Sequence, residues 1–384
     1  MGDRQQVEIG SKSAAGTSFV HFSISHAVAS ITPPNFTPLQ PVHSLILDEL
    51  IASAPLSVLT LCSSVHKRAL SILYADIYSS PAVFKGLQSN EGYERTVESL
   101  KSTKTIRVRD FTSIDTLYSL SGPEREQPPA PSPSSPGNSA HPYPRRYVNL
   151  FPNLERLELG FPALQTTYHE YLEVLESSNP AAEEDETRPL NFLARRISKQ
   201  LPNGVKEITF HLDNDRADYW YEIDQHLLFQ RPREAVILLK GTVKTADEVA
   251  QSNATFGRLG EELPTEWPNA ERLTVFVDTD EPLDRSDSEQ VQRYVVPMSK
   301  ALANYSQGLA WRINLGQEKR MLGDEDDVEM RLVDHVQIHM PHVARVLEQM
   351  TEDGRKQVDG LVRDGRLVVG EFEESMVDGL GLMK

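Results

Sequence analysis

The sequence predicts an α/β fold, because one strand pattern recurs along the chain and segments with helical periodicity separate its copies. The pattern is a turn followed by apolar-x-x-apolar-x-apolar, found at 151–159 (FPNLERLEL), 201–210 (LPNGVKEITF, one residue longer) and 267–275 (WPNAERLTV). Its last two apolar positions lie two residues apart, so both side chains point to one face of a short strand. The segments with helical periodicity are 162–176, 190–200, 217–229 and 286–303.

A unit of one strand plus one helix is similar to the leucine-rich-repeat plan, which implies a parallel sheet lining one side of a solenoid. Two weaker copies of the strand pattern are Thr103-Ile106-Val108 and Ala310-Ile313-Leu315. The Pro-Asn turns start at 152, 202 and 268, so the units are far longer than the roughly 20–29 residues of regular repeats. We therefore expect an irregular repeat-like domain over 96–316, with an ordinary layered α/β domain as the alternative.

The repeat hypothesis makes a specific prediction about side chains. Leu157, Ile208 and Leu273 should occupy equivalent, fully buried positions on neighbouring parallel strands. Glu158 and Thr209 come one residue later, so they should point to the opposite face and tolerate replacement by Ala at little cost.

The spacing of apolar residues in 41–80 predicts a compact module of amphipathic helices that precedes the repeats. Apolar residues recur at helical spacing in Ile46, Leu47, Leu50, Ile51 and Ala54. Pro55 ends this first helix, because proline lacks an N–H and disfavours helical geometry at the preceding residue. Leu56, Leu59 and Cys62 continue an apolar stripe toward Val65.

This module resembles an F-box, the helical module that docks substrate receptors onto the SKP-type adaptor of cullin–RING ubiquitin ligases. Val65-His66-Lys67-Arg68 falls on the family's Val-x-Lys-Arg signature, and the tail 69–77 (ALSILYADI) is similar to the segment that follows the box in many fungal members. The stretch departs from the family at Val42-His43, where Leu-Pro is usual. The resemblance implies adaptor binding through Ile46, Leu47, Leu50, Ile51, Leu56, Leu59, Val65, Lys67 and Arg68.

Three other regions complete the predicted organisation. Residues 1–40 lack sustained periodicity and are predicted to be mostly disordered, as is a Pro/Ser-rich loop at 121–146. In the C-terminal region, 317–384, we expect a helix over 326–350. Asp364-Gly365, between short apolar runs at 361–369, predicts a tight hairpin that closes the end of the sheet.

Composition excludes several classes of protein. A net charge of -17 argues against nucleic-acid binding, which needs clustered Lys and Arg. Cys62 is the single cysteine, so no internal disulfide and no cysteine-based zinc cage can form. No apolar run approaches the roughly 18–20 residues of a membrane span, and no secretory pattern opens the chain. The predicted location is cytoplasmic or nuclear.

The sequence contains no phosphate-binding loop, nucleophile elbow or dinucleotide fingerprint. His335, His339 and His342 have the i, i+4, i+7 spacing of a helical zinc site, but Pro341 interrupts it, which favours ordinary histidines. An acidic cluster, Asp278, Asp280 and Glu281, is explained equally well by a turn.

We therefore expect a non-enzymatic protein without a cofactor, which holds an SKP-type adaptor and an unknown protein substrate for ubiquitin transfer. A repeat scaffold with no ubiquitin role is one alternative. A metal-dependent hydrolase that uses the histidines or the Asp278 cluster is the other.

Overall fold

The structure, a computed structural model, describes residues 40–59, 63–88, 92–109, 150–165, 205–213, 223, 227, 230–241, 263–267, 269–279, 288–322 and 331–382. The predicted loop 121–146, the predicted helix 190–200 and residues 1–39 of the predicted disordered N-terminus lie outside these ranges. The chain divides into two compact units, Met1–Ser53 and Ala54–Lys384.

The helices are α1 (Gln40–Ser53), α2 (Pro55–Val58), α3 (Ser63–Leu73), α4 (Pro81–Phe84), α5 (Tyr93–Leu100), α6 (Ser288–Leu322), α7 (Val343–Gln349), α8 (Glu352–Arg363) and α9 (Glu374–Gly379). The strands are β1 (Asp76–Tyr78), β2 (Thr105–Val108), β3 (Arg156–Leu159), β4 (Glu207–Asp213), β5 (Glu234–Gly241), β6 (Glu266–Trp267), β7 (Arg272–Thr279), β8 (Arg331–Leu332), β9 (His335–Met340) and β10 (Leu367–Glu371). None of the helices that the structure describes is both long and apolar enough to cross a membrane.

The main element of the second unit is an open, parallel, 8-stranded sheet with the order β1-β2-β3-β4-β5-β7-β9-β10. This confirms the α/β class and the parallel sheet. The strands follow chain order across the sheet, so every connection steps in the same direction. Since parallel crossovers are right-handed, steps in one direction place the connecting helices on the same side of the sheet. Strands β6 and β8 form a separate antiparallel pair.

The predicted row of aliphatic side chains forms the centre of the core. Leu157 pairs in register with Ile208, and both are fully buried, as is Leu273. Leu273 is not on the adjacent strand, however, because β5 lies between and contributes Ala235 to the same row. The sequence analysis had not identified β5, so the prediction of three neighbouring strands was correct for β3 and β4 and wrong by one strand for β7.

The described helices that connect the strands pack on one face of the sheet. Buried side chains of the connecting helices, such as Leu164, Leu227 and Met298, belong to one apolar cluster with the row that contains Leu157. Val236 and Phe276 point to the other face and are buried, but they do not belong to this cluster. We call the first face the core face and the second the polar face.

The C-terminal half corrects three predictions. Ala310-Ile313-Leu315 does not form a strand: it lies within α6, which extends for 35 residues. In this helix Ile313 and Leu315 point to opposite sides, because residues two apart are rotated by about 200°, and Leu309 faces the core.

Of the predicted helix 326–350, residues 326–330 lie outside the described residues, and the remainder forms β8, β9 and α7, so only its last part is helical. From His335 to Met340 the sequence alternates between polar and apolar residues, and the structure buries Val336, Ile338 and Met340 on the core face. A period of two is the pattern of a strand, so the alternation at 335–340 was the signal that the helix prediction overlooked.

The predicted hairpin at 361–369 is also absent from the structure. Gly365 has φ +70 and ends α8, with the Arg366 amide donating to the Leu361 carbonyl and the Gly365 amide to the Val362 carbonyl. This pair of hydrogen bonds is a Schellman motif, in which glycine supplies the left-handed residue. Strand β10 then pairs parallel to β9 at the edge of the sheet.

Candidate functional site

Helix α1 presents apolar side chains to solvent. Leu45, Ile46 and Leu50 are 69%, 51% and 46% exposed, whereas Ile51 is 0% exposed. On a helix of 3.6 residues per turn, Leu47 and Ile51 lie on one side, and Ile46 and Leu50 lie about 100° around from them. The helix is thus apolar on more than its buried side, which distinguishes it from an ordinary amphipathic surface helix.

The remaining residues predicted to contact an adaptor follow α1. Pro55 is the first residue of α2, where its missing N–H costs no intrahelical bond, as the sequence analysis expected for a break after Ala54. Leu59 and Val65 are half-buried, while Lys67 and Arg68 are exposed. The side chain of Leu56 lies outside the described residues.

A histidine of α3 contacts the residue that caps the end of α2. His66 Nδ1 lies 3.0 Å from the carbonyl oxygen of Leu59, within hydrogen-bond distance. Ala69 is buried in α3, and Ile72 is 42% exposed. The signature Val65-His66-Lys67-Arg68 therefore lies in the first half of α3, with its Lys and Arg exposed and its His in contact with Leu59.

The polar face carries a chain of charges that links four neighbouring strands. Arg107 donates from Nε and Nη2 to the two Oδ atoms of Asp76, each at 2.7 Å, and from Nη1 to Glu158 Oε2 at 2.6 Å. His211 Nε2 lies 2.6 Å from Glu158 Oε1, and the carboxylate accepts this bond. The carboxylate of Asp76 raises the pKa of the Arg107 guanidinium, so the cation is permanent.

The two central charges of this chain are buried. The Glu158 side chain is 0% exposed and the Arg107 side chain 7% exposed. Removing two ions from water costs several kcal/mol each, and only close partners offset that cost. The expectation that Glu158 tolerates Ala is therefore wrong: Glu158 does lie on the opposite face, but that face is buried at this point.

The expectation that Thr209 lies on an unburied face is also wrong. It pairs with Glu158 on the neighbouring strand and is fully buried, and its Oγ1 makes no hydrogen bond to any described residue. A charged residue between two apolar ones, as in Ile106-Arg107-Val108 and Leu157-Glu158-Leu159, was the available sequence signal. Nothing local in either segment indicates that the opposite charges of Arg107 and Glu158 lie side by side.

The predicted histidine triplet does not share a helix face. His335 and His339 are on β9, and His342 follows it with φ 54. His335 Nδ1 lies 2.9 Å from the Gly365 carbonyl, and His339 stacks on Phe276 with ring centroids 5.3 Å apart. Within the described parts of the chain, no three His, Cys, Asp or Glu side chains form a group able to hold a metal ion.

Of the predicted acidic cluster, Asp278 is described, and Asp280 and Glu281 lie outside the described residues. Asp278 Oδ1 accepts a hydrogen bond from the Thr279 amide at 2.8 Å. Both residues belong to β7, so Asp278 lies at the end of a strand and not in a turn.

A family model described as "Protein of unknown function (DUF3760)" matches residues 36–77. The matched stretch includes α1, α2 and α3 and ends within β1. Comparisons with curated proteins and with solved structures gave no match. The helical stretch is thus similar to a family whose description assigns no activity.

Proposed function

We propose that this chain is a non-catalytic recognition subunit of a cullin–RING ubiquitin ligase. In this proposal α1–α3 dock an SKP-type adaptor, and the polar face of the sheet holds a protein target. The observation that carries the proposal is the exposed apolar surface of α1, formed by Leu45, Ile46 and Leu50.

This surface favours a protein partner for a physical reason. Apolar area is stabilising only when it leaves water, at roughly 25 cal/mol per Å². Three large apolar side chains, each about half exposed or more, contribute little to folding and much to an interface. Lys67 and Arg68 on α3 add exposed cations to the stretch that resembles an F-box.

The sheet supports the second half of the proposal. Its strands follow chain order, as they also do in leucine-rich-repeat solenoids, which bind proteins along the sheet. Doubly wound α/β enzymes bind ligands where the strand order reverses, and the order of these 8 strands does not reverse. A broad surface thus fits the topology better than a catalytic crevice.

The test is capture of a purified SKP-type adaptor by the immobilised full chain. We expect Ile46→Asp with Leu50→Asp to abolish capture, because the adaptor contact would have to bury two unpaired charges. Ile51→Asp is unsuitable here, since Ile51 is fully buried and its replacement would test folding.

The matched control is Ala52→Asp, which adds the same charge at an exposed position of α1 on another side of the helix. We expect it to leave capture unchanged. No capture by the wild-type chain, or equal capture by the double variant, would contradict adaptor docking and leave the scaffold without a ubiquitin role.

A further inference from the structure

The chain turns onto its own polar face after the last strand. The Phe372 amide continues the ladder by donating to the Met340 carbonyl at 3.0 Å. The Phe372 ring lies edge-on to Phe276 of β7, with centroids 6.3 Å apart, and Phe276 in turn stacks on His339. Because Phe276 belongs to the polar face, Phe372 lies on that face as well.

The far end of this segment reaches the other half of the sheet. Arg156, on β3, donates from Nη1 to the Leu380 carbonyl at 3.2 Å. The same guanidinium pairs with Glu207, Nε to Oε1 at 2.8 Å and Nη2 to Oε2 at 3.1 Å, which holds it in place. Strands β9, β7, β5 and β4 lie between β10 and β3, a distance of about 24 Å along the sheet. Residues 372–382, the C-terminal segment, therefore cross the polar face.

The C-terminal segment is amphipathic. Its apolar residues are half-buried or buried, and its acidic residues are exposed. The apolar set is Phe372, Met376, Val377, Leu380 and Leu382; the exposed set is Glu373, Glu374, Ser375 and Asp378. Helix α9 forms the centre of the segment and carries Met376 and Val377, while Phe372 precedes it and Leu380 follows it.

We propose that the polar face binds an amphipathic helical segment of a partner protein, with an aromatic residue at its start, and that the C-terminal segment is its displaceable internal occupant. This proposal depends on the polar face being the target surface of the proposed function. The occupant shows the chemistry that the face accepts: an aromatic ring against Phe276, aliphatic side chains, and a carbonyl at Arg156.

The contacts that hold the C-terminal segment on the polar face are weak enough for a partner to displace it. An edge-on ring contact and a hydrogen bond from a half-exposed arginine are individually weak, and α9 is only 6 residues long. Short elements with few buried contacts open locally at low cost. A tethered segment nevertheless competes at an effective concentration in the millimolar range, so a partner must bind well to replace it.

The experiment measures binding of a labelled peptide of residues 371–384 (EFEESMVDGLGLMK) to the full chain by fluorescence anisotropy. We expect Phe372→Ala in the full chain to tighten binding of the peptide about tenfold, because the internal competitor loses its aromatic anchor. The peptide that carries Phe372→Ala should bind about tenfold more weakly than the natural one. Glu374→Ala in the full chain, on the exposed side, is the matched control and should change binding less than twofold.

Two results would overturn the proposal: equal peptide binding by wild-type and Phe372→Ala chains, or equal binding of the two peptides. If circular dichroism shows that Phe372→Ala perturbs folding, Met376→Ala replaces it and must give the same tightening. Adaptor capture by the same proteins is measured in parallel. Failure of the peptide experiment with capture intact rejects the displaceable segment alone, whereas loss of capture by the wild-type chain rejects the proposed function.

Discussion

The two faces of the sheet are made by the same strands but are stabilised in different ways. On the core face, Leu157, Ile208 and Leu273 pack in a row through contacts that have no direction and scale with buried area. On the polar face, Arg107 and Glu158 are buried as ions and depend on particular partners. A change on the core face removes an interaction, whereas a change on the polar face also leaves a charge behind. The faces should therefore respond differently to the same kind of substitution.

The largest effect is expected from breaking the buried ion pair. Glu158→Ala leaves Arg107 buried without one of its two carboxylates and removes the acceptor of His211. We expect a loss of about 3–5 kcal/mol in the free energy of unfolding, measured by urea denaturation.

Replacing both partners sharpens this prediction. Arg107→Met with Glu158→Leu removes both ions and fills their volume with apolar atoms, so it should cost less than Glu158→Ala alone. If the double variant is the less stable one, the charge chain contributes more than the cost of burying it, and the contrast between the faces is smaller than we describe.

A smaller effect is expected on the core face, and its size depends on the cavity left. Leu157→Ala should lower the free energy of unfolding by about 2–5 kcal/mol through lost burial and an unfilled cavity.

The comparison on the polar face is Thr209→Val, which keeps the shape of the side chain and removes a buried hydroxyl that has no described partner. It should change stability by less than about 1 kcal/mol. A large loss for Thr209→Val would mean that this hydroxyl is engaged.

The smallest effect concerns an ion pair at the exposed start of the same strands. Lys206 Nζ donates to Glu155 Oε1 at 3.0 Å and holds the pKa of the Glu155 carboxyl below its usual range. A carboxyl whose folded pKa is lowered stabilises the protein above its unfolded pKa, and this contribution is lost as pH falls through the folded value. Because both groups are exposed, the effect on stability is screened and slight.

An NMR titration of the side-chain carboxyl carbons measures this pair directly. We expect Lys206→Gln to raise the pKa of Glu155 toward that of an ordinary glutamate. Lys101→Gln is the matched control: it should raise the pKa of Glu98, which Lys101 lowers in the same way, and leave Glu155 unchanged. An unchanged Glu155 pKa after Lys206→Gln would show that the exposed pair is not formed in solution.

The sequence predicted the core face better than the polar face for a physical reason. Apolar spacing is a local property, and it located β3, β4 and β7 because each carries its own period of two. Strand β5 was missed because Ala235 to Leu239 is a continuous apolar run, buried at four of five positions, without alternation. A strand that is buried on both faces lacks the alternation of polar and apolar residues by which strands are recognised in a sequence.

The charge chain depends on how neighbouring strands are aligned in the sheet, and this alignment cannot be deduced from the sequence of any one strand. Arg107 and Glu158 meet only because β2 and β3 pair with these two residues directly opposite. The C-terminal segment was missed for the same reason, since its contacts join residues far apart in sequence. The candidate adaptor residues of α1 were identified from helical spacing, but the spacing did not distinguish the exposed Ile46 and Leu50 from the buried Ile51.

The hydrogen bond between Arg156 and Leu380 has a consequence for the order in which the protein is made. Each strand of the sheet pairs with the next one in the chain, so successive strands can join as the ribosome delivers them. The Arg156–Leu380 bond spans 224 residues and cannot form until the final strands have emerged. The C-terminal segment therefore cannot lie across the polar face until translation is nearly complete, so α9 joins the sheet last.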